Sequence, residues 1–278
     1  MDNGAPAAQQ KPVTVARMYD YFLGGIHNFP ADRAAAQKVI AQFPFIPVAA
    51  RANRAFLGRA VRHLVGIGFR QFLDLGSGIP TAENVHEVAQ AIAPECRVAY
   101  VDSDPVVVSE SLEILEGNEQ AIAVRGDLRD VPAILAHPQV RRLLDFQQPV
   151  AVLLVAVLQF VPDDAEARAV IEHLVPAMAP GSHMVMSHAA AETFETADDS
   201  TMNAVGDVYR SQTASLAKLR TRAEVAELFT SNGLELIEPG IVWTPQWRPE
   251  LGDAPEQPDR PETSASWAGV GKLVGSSG

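Results

Sequence analysis

Along the first sixty-odd positions the apolar residues recur at helical spacing, and beyond them the pattern changes to short continuous runs. Val15, Met18, Tyr19, Phe22 and Leu23 share one face of a helix that the Gly24-Gly25 pair stops. Ala35, Ala36, Val39, Ile40 and Phe43 mark a second helix over 31–43, and Pro44 and Pro47 bracket the turn after it. Phe56, Leu57, Ala60, Val61 and Leu64 mark a third over 48–65, closed by Gly66 and Gly68. The runs 69–74, 97–102, 121–124, 149–160 and 183–188 then read as strands. Those at 69–74 and 149–160 are apolar enough for the middle of a parallel sheet. Helical patterns start near Thr81 and cover 132–144, 165–178 and 222–232, and 234–242 and 267–274 read as an antiparallel strand pair. The sum is an α/β chain with a doubly wound, mostly parallel seven-stranded sheet and an N-terminal helical cap. We expect a disordered polar tail over 1–12, the cap over 13–66 and the sheet domain over 67–278.

The ends of the strands carry the chemistry. The first run delivers Asp74 to Gly76-Ser77-Gly78, where two glycines let the backbone turn tightly and lie against a ligand. Strand, glycine turn and helix in that order open a nucleotide-type site at the carboxyl edge of a doubly wound sheet. Asp102 ends the second run, where a carboxylate is placed to accept two hydrogen bonds from a ribose diol. Asp127 follows the third run and lies beside the end of the second, within reach of an adenine amino group. A lone glycine turn also reads as an ordinary tight turn. Three signals on three successive strands are much more specific.

These stretches, FLDLGSG at 72–78, VAYVDSDP at 98–105 and RGDL at 125–128, resemble the class I S-adenosylmethionine-dependent methyltransferases. The likeness is closer to an actinobacterial branch with patterns similar to ARMYDYFLGG at 16–25, Asn28-Phe29, the ADR of 31–33 and RANRAFLGRAVRHL at 51–64. It runs from about Val13 to Leu273. The resemblance implies a Rossmann-like methyltransferase fold, S-adenosylmethionine as cofactor and methyl transfer to a small-molecule acceptor. It implies that Asp74, Gly76, Ser77, Gly78, Asp102, Ser103, Asp127 and Leu128 hold the cofactor. It also implies that the cap closes as a lid, with Tyr19, Gly25 and Asn28 in contact with the ligand. Two positions depart from the pattern: Pro80 stands where a third glycine is frequent, and Gln159 where related sequences often carry His.

Other chemistries fit less well. A dinucleotide fingerprint requires glycine at the place held by Thr81, which disfavours a nicotinamide-dependent oxidoreductase. The histidines show no paired-ligand spacing, so no metal site is expected. Ser77 is not in the Gly-x-Ser-x-Gly order of a hydrolase. An activated methyl group requires a positioned acceptor, and a base only if that acceptor must lose a proton. The candidates for such a base or for contact near the methyl are His188, at the end of the fifth strand, Tyr21 and Tyr209. A structural histidine and ordinary aromatic packing are the plainer readings of these residues. Arg51, Asn53 and Arg54 interrupt an otherwise apolar helix and read either as a solvated face or as a clamp on a carboxylate. The different-class alternative is a non-catalytic S-adenosylmethionine sensor.

Composition narrows the setting. Hydrophobic residues make up 47% of 278, enough for an ample core. A formal charge of −12, spread along the chain, disfavours nucleic-acid and anionic-membrane partners, which bind through Lys and Arg. No apolar run approaches the ~20 residues of a membrane span, and the first residues do not read as a basic-then-apolar leader. The single Cys96 forms no internal disulfide and suits a reducing cytoplasm, where it reads as a small buried hydrophobe.

Overall fold

The computed structural model describes residues 12–80, 83–194, 217–252 and 260–275. Residues 1–11 of the tail expected over 1–12, and Tyr209, lie outside the described residues. Three helices come first: α1 (Val15–Phe22), α2 (Pro30–Gln42) and α3 (Ile46–Gly66). The sheet follows as β1 (Gln71–Leu75), β2 (Arg97–Asp102), β3 (Ala121–Arg125), β4 (Ala151–Val155), β5 (His183–Ala189), β6 (Leu234–Leu236), β7 (Val242–Trp243) and β8 (Ser266–Leu273). Between them run α4 (Val85–Ile92), α5 (Pro105–Ile114), α6 (Val131–Ala136), α7 (Pro138–Leu143), α8 (Asp164–Leu174) and α9 (Arg222–Thr230).

The seven-strand path is β3-β2-β1-β4-β5-β8-β6, with the short β7 paired to β8 off that path. Strands β1 to β5 pair in parallel and β8 runs antiparallel to β5, β6 and β7. This is a Rossmann-like, mostly parallel sheet. After β3 the chain returns to the middle to lay β4 against the other side of β1. The strand order therefore reverses between β1 and β4, and a crevice opens at their carboxyl ends.

Side-chain alternation sends the strand residues into two layers. Leu73, Leu75, Val101, Val152, Leu154 and Met186 face α6, α7, α8 and α9. Phe72, Val98, Tyr100, Leu153 and Val185 face α3 and α4. Met18, Phe22, Ala36, Val39 and Ala50 form a separate core within the cap. α3 belongs to both bodies: Ala50 packs in the cap, while Phe56 to Val65 pack on the sheet. The packing boundary thus falls inside α3 and not at residue 66.

Several expected elements are shorter, for local reasons. The helix expected from Thr81 starts at Val85, where Glu87 accepts from the Asn84 N–H at 3.0 Å and Asn84 donates to the Pro80 carbonyl at 2.9 Å. The helix over 132–144 breaks into α6 and α7, because Pro138 forces His137 into an extended conformation. The run 149–160 is a strand only to Val155; Ala156 takes φ +53 and a 3₁₀ turn follows over Leu158–Phe160. The run 234–242 turns at Gly240, φ +78, and becomes β6 and β7.

Candidate functional site

The crevice widens into a cavity of about 740 Å³ between the carboxyl ends of the strands and the cap. Its floor is the glycine turn after β1. Gly76 has φ +69, and a Cβ there would sit 2.1 Å from Val157 Cγ2, so the position tolerates only glycine on both counts. Gly78 has φ +62, but a Cβ on it would meet nothing: the turn faces open space. The turn is held from β2. The N–H groups of Gly76 and Ser77 donate to the Val101 carbonyl at 2.8 and 3.2 Å. The Gly78 N–H donates to Asp102 Oδ2 at 2.9 Å, and Asp102 Oδ1 accepts from the Asp104 N–H at 2.9 Å.

Of the residues expected at the cofactor, Asp74, Gly76, Ser77, Gly78, Asp102, Ser103, Asp127, Leu128 and Tyr19 all line this cavity. Asp74 is buried, and burial pushes its carboxyl up to about 7; the Arg54 charge opposes the shift and the Asp102 charge adds to it. Burial also raises Asp102, opposed by the N–H groups of Asp104 and Gly78. Asp127 is exposed and turned partly onto its own loop, accepting from the Arg129 N–H at 2.9 Å. Tyr19 is fixed by its hydroxyl, which donates to the Ala50 carbonyl at 3.1 Å and accepts from Asn53 at 2.9 Å.

The structure places four other candidates elsewhere. Gly25 and Asn28 do not line the cavity. Asn28 donates to Asp20 Oδ2 at 2.7 Å and to the Gly25 carbonyl at 2.9 Å, and a Cβ on Gly25 would lie 2.0 Å from Asp20 Oδ1. Gly25 is therefore packed against Asp20 within the cap and lies off the cavity, whereas Gly24 is exposed. Tyr21 lies off the cavity too, its hydroxyl accepting from Gln37 at 3.2 Å on the outer side of the cap. His188 is fully buried with both ring nitrogens engaged, Nδ1 to the Ala189 carbonyl at 3.0 Å and Nε2 to Arg220 at 2.7 Å. Burial lowers it to about 4, with Arg220 adding to the effect, so the ring is neutral at pH 7, and it does not line the cavity.

The site also rests on side-chain pairings that the sequence did not specify. Arg17 is buried in α1 and pairs with Asp32 at 2.9 Å and with Asp104 at 3.0 Å. Asp104 caps α5 by accepting from the Val106 N–H at 2.8 Å, so this pair ties the cap to the loop that carries Asp102. Asp32 also accepts from the N–H groups of Thr14 and Phe29, gathering α1 and α2 around one carboxylate. A second polar chain runs from Tyr19 through Asn53 to Ser187, whose hydroxyl donates to Asn53 Oδ1 at 2.5 Å and accepts from the Ala156 N–H at 3.0 Å. Ala156 lines the cavity at positive φ, the kind of local strain that the surrounding structure must hold in place. Asn53 showed in the sequence as a polar residue on an otherwise apolar helix, and Arg17, Asp32 and Asp104 lay within the stretches that carry the family resemblance.

Sheet order, glycine turn and strand-end carboxylates together make a nucleotide-type site of the Rossmann-like class. The chain belongs to the S-adenosyl methyltransferase family, whose model matches residues 3–274. Two crystal structures resemble it over nearly the whole length. One is a Thermobifida fusca protein provisionally described as a methyltransferase: 36% identical, TM-score 0.85, covering 96% of this chain and 97% of that one. The other is a DUF574 family protein of Streptomyces avermitilis: 38% identical, TM-score 0.85, covering 94% and 97%. Human N-acetylserotonin methyltransferase in complex with S-adenosylmethionine shares the fold at 14% identity, with TM-score 0.51 over 95% of this chain and 61% of that one. No curated protein matches the chain.

The residues present fit the cofactor on their own chemistry. Gly78 presents open space at the turn, where backbone can approach a ligand closely. Buried Asp74 and half-buried Asp102 stand at the ends of successive strands. The Nε of Arg54, another residue of the lining, is shut away from solvent without a hydrogen-bond partner among the described residues. Among the described residues no group of acids, histidines and cysteines is arranged to hold a metal ion, and no helix is long and apolar enough to cross a membrane.

Proposed function

We propose that the chain methylates a small, largely apolar acceptor held in the half of the cavity at the ends of β4, β5 and β8. The carrying observation is the unequal lining of the cavity. The walls at β1 and β2 and along the neighbouring face of the cap bear Asp74, Asp102, Asp104, Arg17 and Arg54. The wall that continues from β4, β5 and β8 bears Val157, Phe160, Val161, Ala189, Leu219 and Ala265. Among the described residues that continue from those strands the polar side chains are Gln159 and Ser266; Arg129, on the loop after β3, lines the cavity beside this wall and donates to the Phe160 carbonyl at 3.5 Å.

S-adenosylmethionine supplies, when bound, a methyl group already activated by its sulfonium. What remains for the protein is to orient the acceptor, exclude water and leave the reacting atoms in line, a contribution of roughly 7–11 kcal/mol when the geometry is good. A wall without a base suits an acceptor whose own lone pair is available, such as an amine, a thiol or an acidic hydroxyl. The products are the methylated acceptor, S-adenosylhomocysteine and a proton. The cap acts as a lid that closes the cavity against water, held shut by the Arg17–Asp104 pair.

The test is S-adenosylhomocysteine formation with a panel of amines, thiols and phenols, each in apolar and charged versions. The expectation is turnover concentrated in the apolar members. Turnover confined to charged or polymeric acceptors would refute it. Cofactor binding with no turnover across the panel would favour the sensor instead.

A further inference from the structure

We propose that Gln159 and Ser266 form a hydrogen-bonding pair that selects a methyl acceptor carrying a neutral carbonyl oxygen, as in a ketone, ester or amide. The inference deepens the reading of a small apolar acceptor and rests on it, since the pair lies in the wall where that acceptor is held.

The two side chains arrive from distant parts of the chain at one strand end. Gln159 lies in the 3₁₀ turn Leu158–Phe160 that follows β4, and Ser266 opens β8. Both line the cavity. Ala189, the last residue of β5, joins them. Its N–H donates to Gln159 Oε1 at 3.4 Å, and Ser266 is its register partner across the antiparallel pair. Directly opposed residues of such a pair have Cα atoms within about 5.5 Å of each other. The amide and the hydroxyl thus stand together in a wall otherwise made of Val157, Phe160, Val161, Leu219 and Ala265.

Their polarity is set by what they already bond. A backbone donor occupies Oε1 of Gln159, so the end of the amide left over is its NH2 group. No described residue accepts from that NH2, and none bonds the Ser266 hydroxyl. An amide nitrogen only donates, and a hydroxyl rotates to donate where an acceptor is offered. The pair therefore presents two donors, the complement of one carbonyl oxygen with its two lone pairs. A neutral oxygen suits the wall better than a carboxylate. Arg129, the cation beside it, is engaged by Asp127 at 3.4 Å and Glu166 at 3.6 Å, and a charge desolvated without a counter-ion is strongly disfavoured.

The turn that presents Gln159 is also braced. Arg220 donates to the Leu158 and Val161 carbonyls on either side of it, at 3.3 and 3.1 Å, and the Lys218 N–H donates to the Gln159 carbonyl at 2.7 Å. Arg220 is fixed in turn by Asp164 at 3.0 Å and by His188 at 2.7 Å. Buried His188 is then a positioning residue, acting on the turn through Arg220. A donor held in place before the ligand arrives loses little freedom on binding. It separates an acceptor that offers the oxygen from one that lacks it.

The experiment measures S-adenosylhomocysteine formation with three acceptor sets of matched shape: hydroxyacetophenones, ethylphenols and hydroxybenzoates, each as its ring isomers. It uses the full chain and its Gln159→Leu, Gln159→Glu and Ser266→Ala variants. In the unaltered chain, kcat/KM for the best hydroxyacetophenone should exceed that of its ethylphenol and benzoate counterparts about 10- to 100-fold, the range for a donor left without its partner. Gln159→Leu should remove most of that preference over the ethylphenol. Gln159→Glu, which keeps size and polarity but has no hydrogen to donate once ionised, should remove it as well. Ser266→Ala should reduce it by a smaller factor. Calorimetric titration with S-adenosylhomocysteine should give the same affinity in every variant, which also shows that each is folded. Equal turnover of ketone and alkyl counterparts, or a preference that survives Gln159→Leu, overturns the pair and leaves the apolar acceptor standing. Preference for the benzoates, or no turnover of any set, overturns both.

Discussion

Replacing Asp102 with Ala separates ligand recognition from support of the turn. The carboxylate already accepts from the Gly78 and Asp104 N–H groups, each at 2.9 Å, and every carboxylate oxygen has a second lone pair to offer a ribose hydroxyl. Losing the ribose bonds removes two charge-assisted interactions of roughly 1.5–3 kcal/mol each, partly replaced by water, so affinity should fall by about 2–4 kcal/mol. That is roughly 30- to 1,000-fold in the dissociation constant. The two orphaned backbone donors add a separate cost to folding of about 1–3 kcal/mol. Calorimetric titration with S-adenosylhomocysteine and with its 2′,3′-dideoxy analogue distinguishes the two parts, since the analogue has no hydroxyls to lose. Thermal unfolding reads the folding cost. The reasoning fails if Asp102→Ala weakens both ligands equally, because the carboxylate would then be only a brace for the glycine turn. Asp104→Ala is the contrasting variant. Asp104 lies past the end of β2, caps α5 and pairs with buried Arg17. Its loss should cost stability, about 1 kcal/mol for the cap and more for the broken pair, while the ribose contacts survive.

Two further outcomes are expected. Asp74 sits at about 7 in the free protein, faced by Arg54 from α3 and by Asp102 and Tyr100 from β2; an ammonium ligand lowers that value. Binding therefore releases a proton near neutrality, and affinity should rise as pH climbs towards about 7 and level off above it. Calorimetry in buffers of different ionisation enthalpy counts the proton, and persistence of the slope in Asp74→Asn would refute the assignment. In hydrogen exchange, amides of α1 should gain protection on S-adenosylhomocysteine binding along with those around Gly76; protection of the turn without α1 means that the cap is not a lid.

The order of strands and helices and the site's anchor points were legible in the chain because they rest on local causes. Burial on both faces writes β1 and β4 as near-continuous apolar runs. Positive φ restricts 76 and 78 to glycine, and each strand end places its acid at the same edge of the sheet. Fine boundaries were less legible, because caps and breaks at Asn84, Pro138 and Ala156 outweigh the periodicity around them.

Only the tertiary structure decided which polar residues act together. Arg17 and Asp104 stand 87 positions apart and Asn53 and Ser187 134 apart, and no spacing rule links such pairs. Gly24-Gly25 with Asn28 has the composition of a ligand-binding turn, and three-dimensional packing fills it with Asp20 instead. His188 has the address of a catalytic base, and Arg220, 32 residues away, occupies its free nitrogen. Arg54 appeared in the sequence as a charge on an apolar helix, with a clamp and a solvated face both open. Burial of its Nε at the cavity edge, opposite Asp74, is a property of how α3 crosses the end of β1, and the chain's local pattern does not encode that crossing.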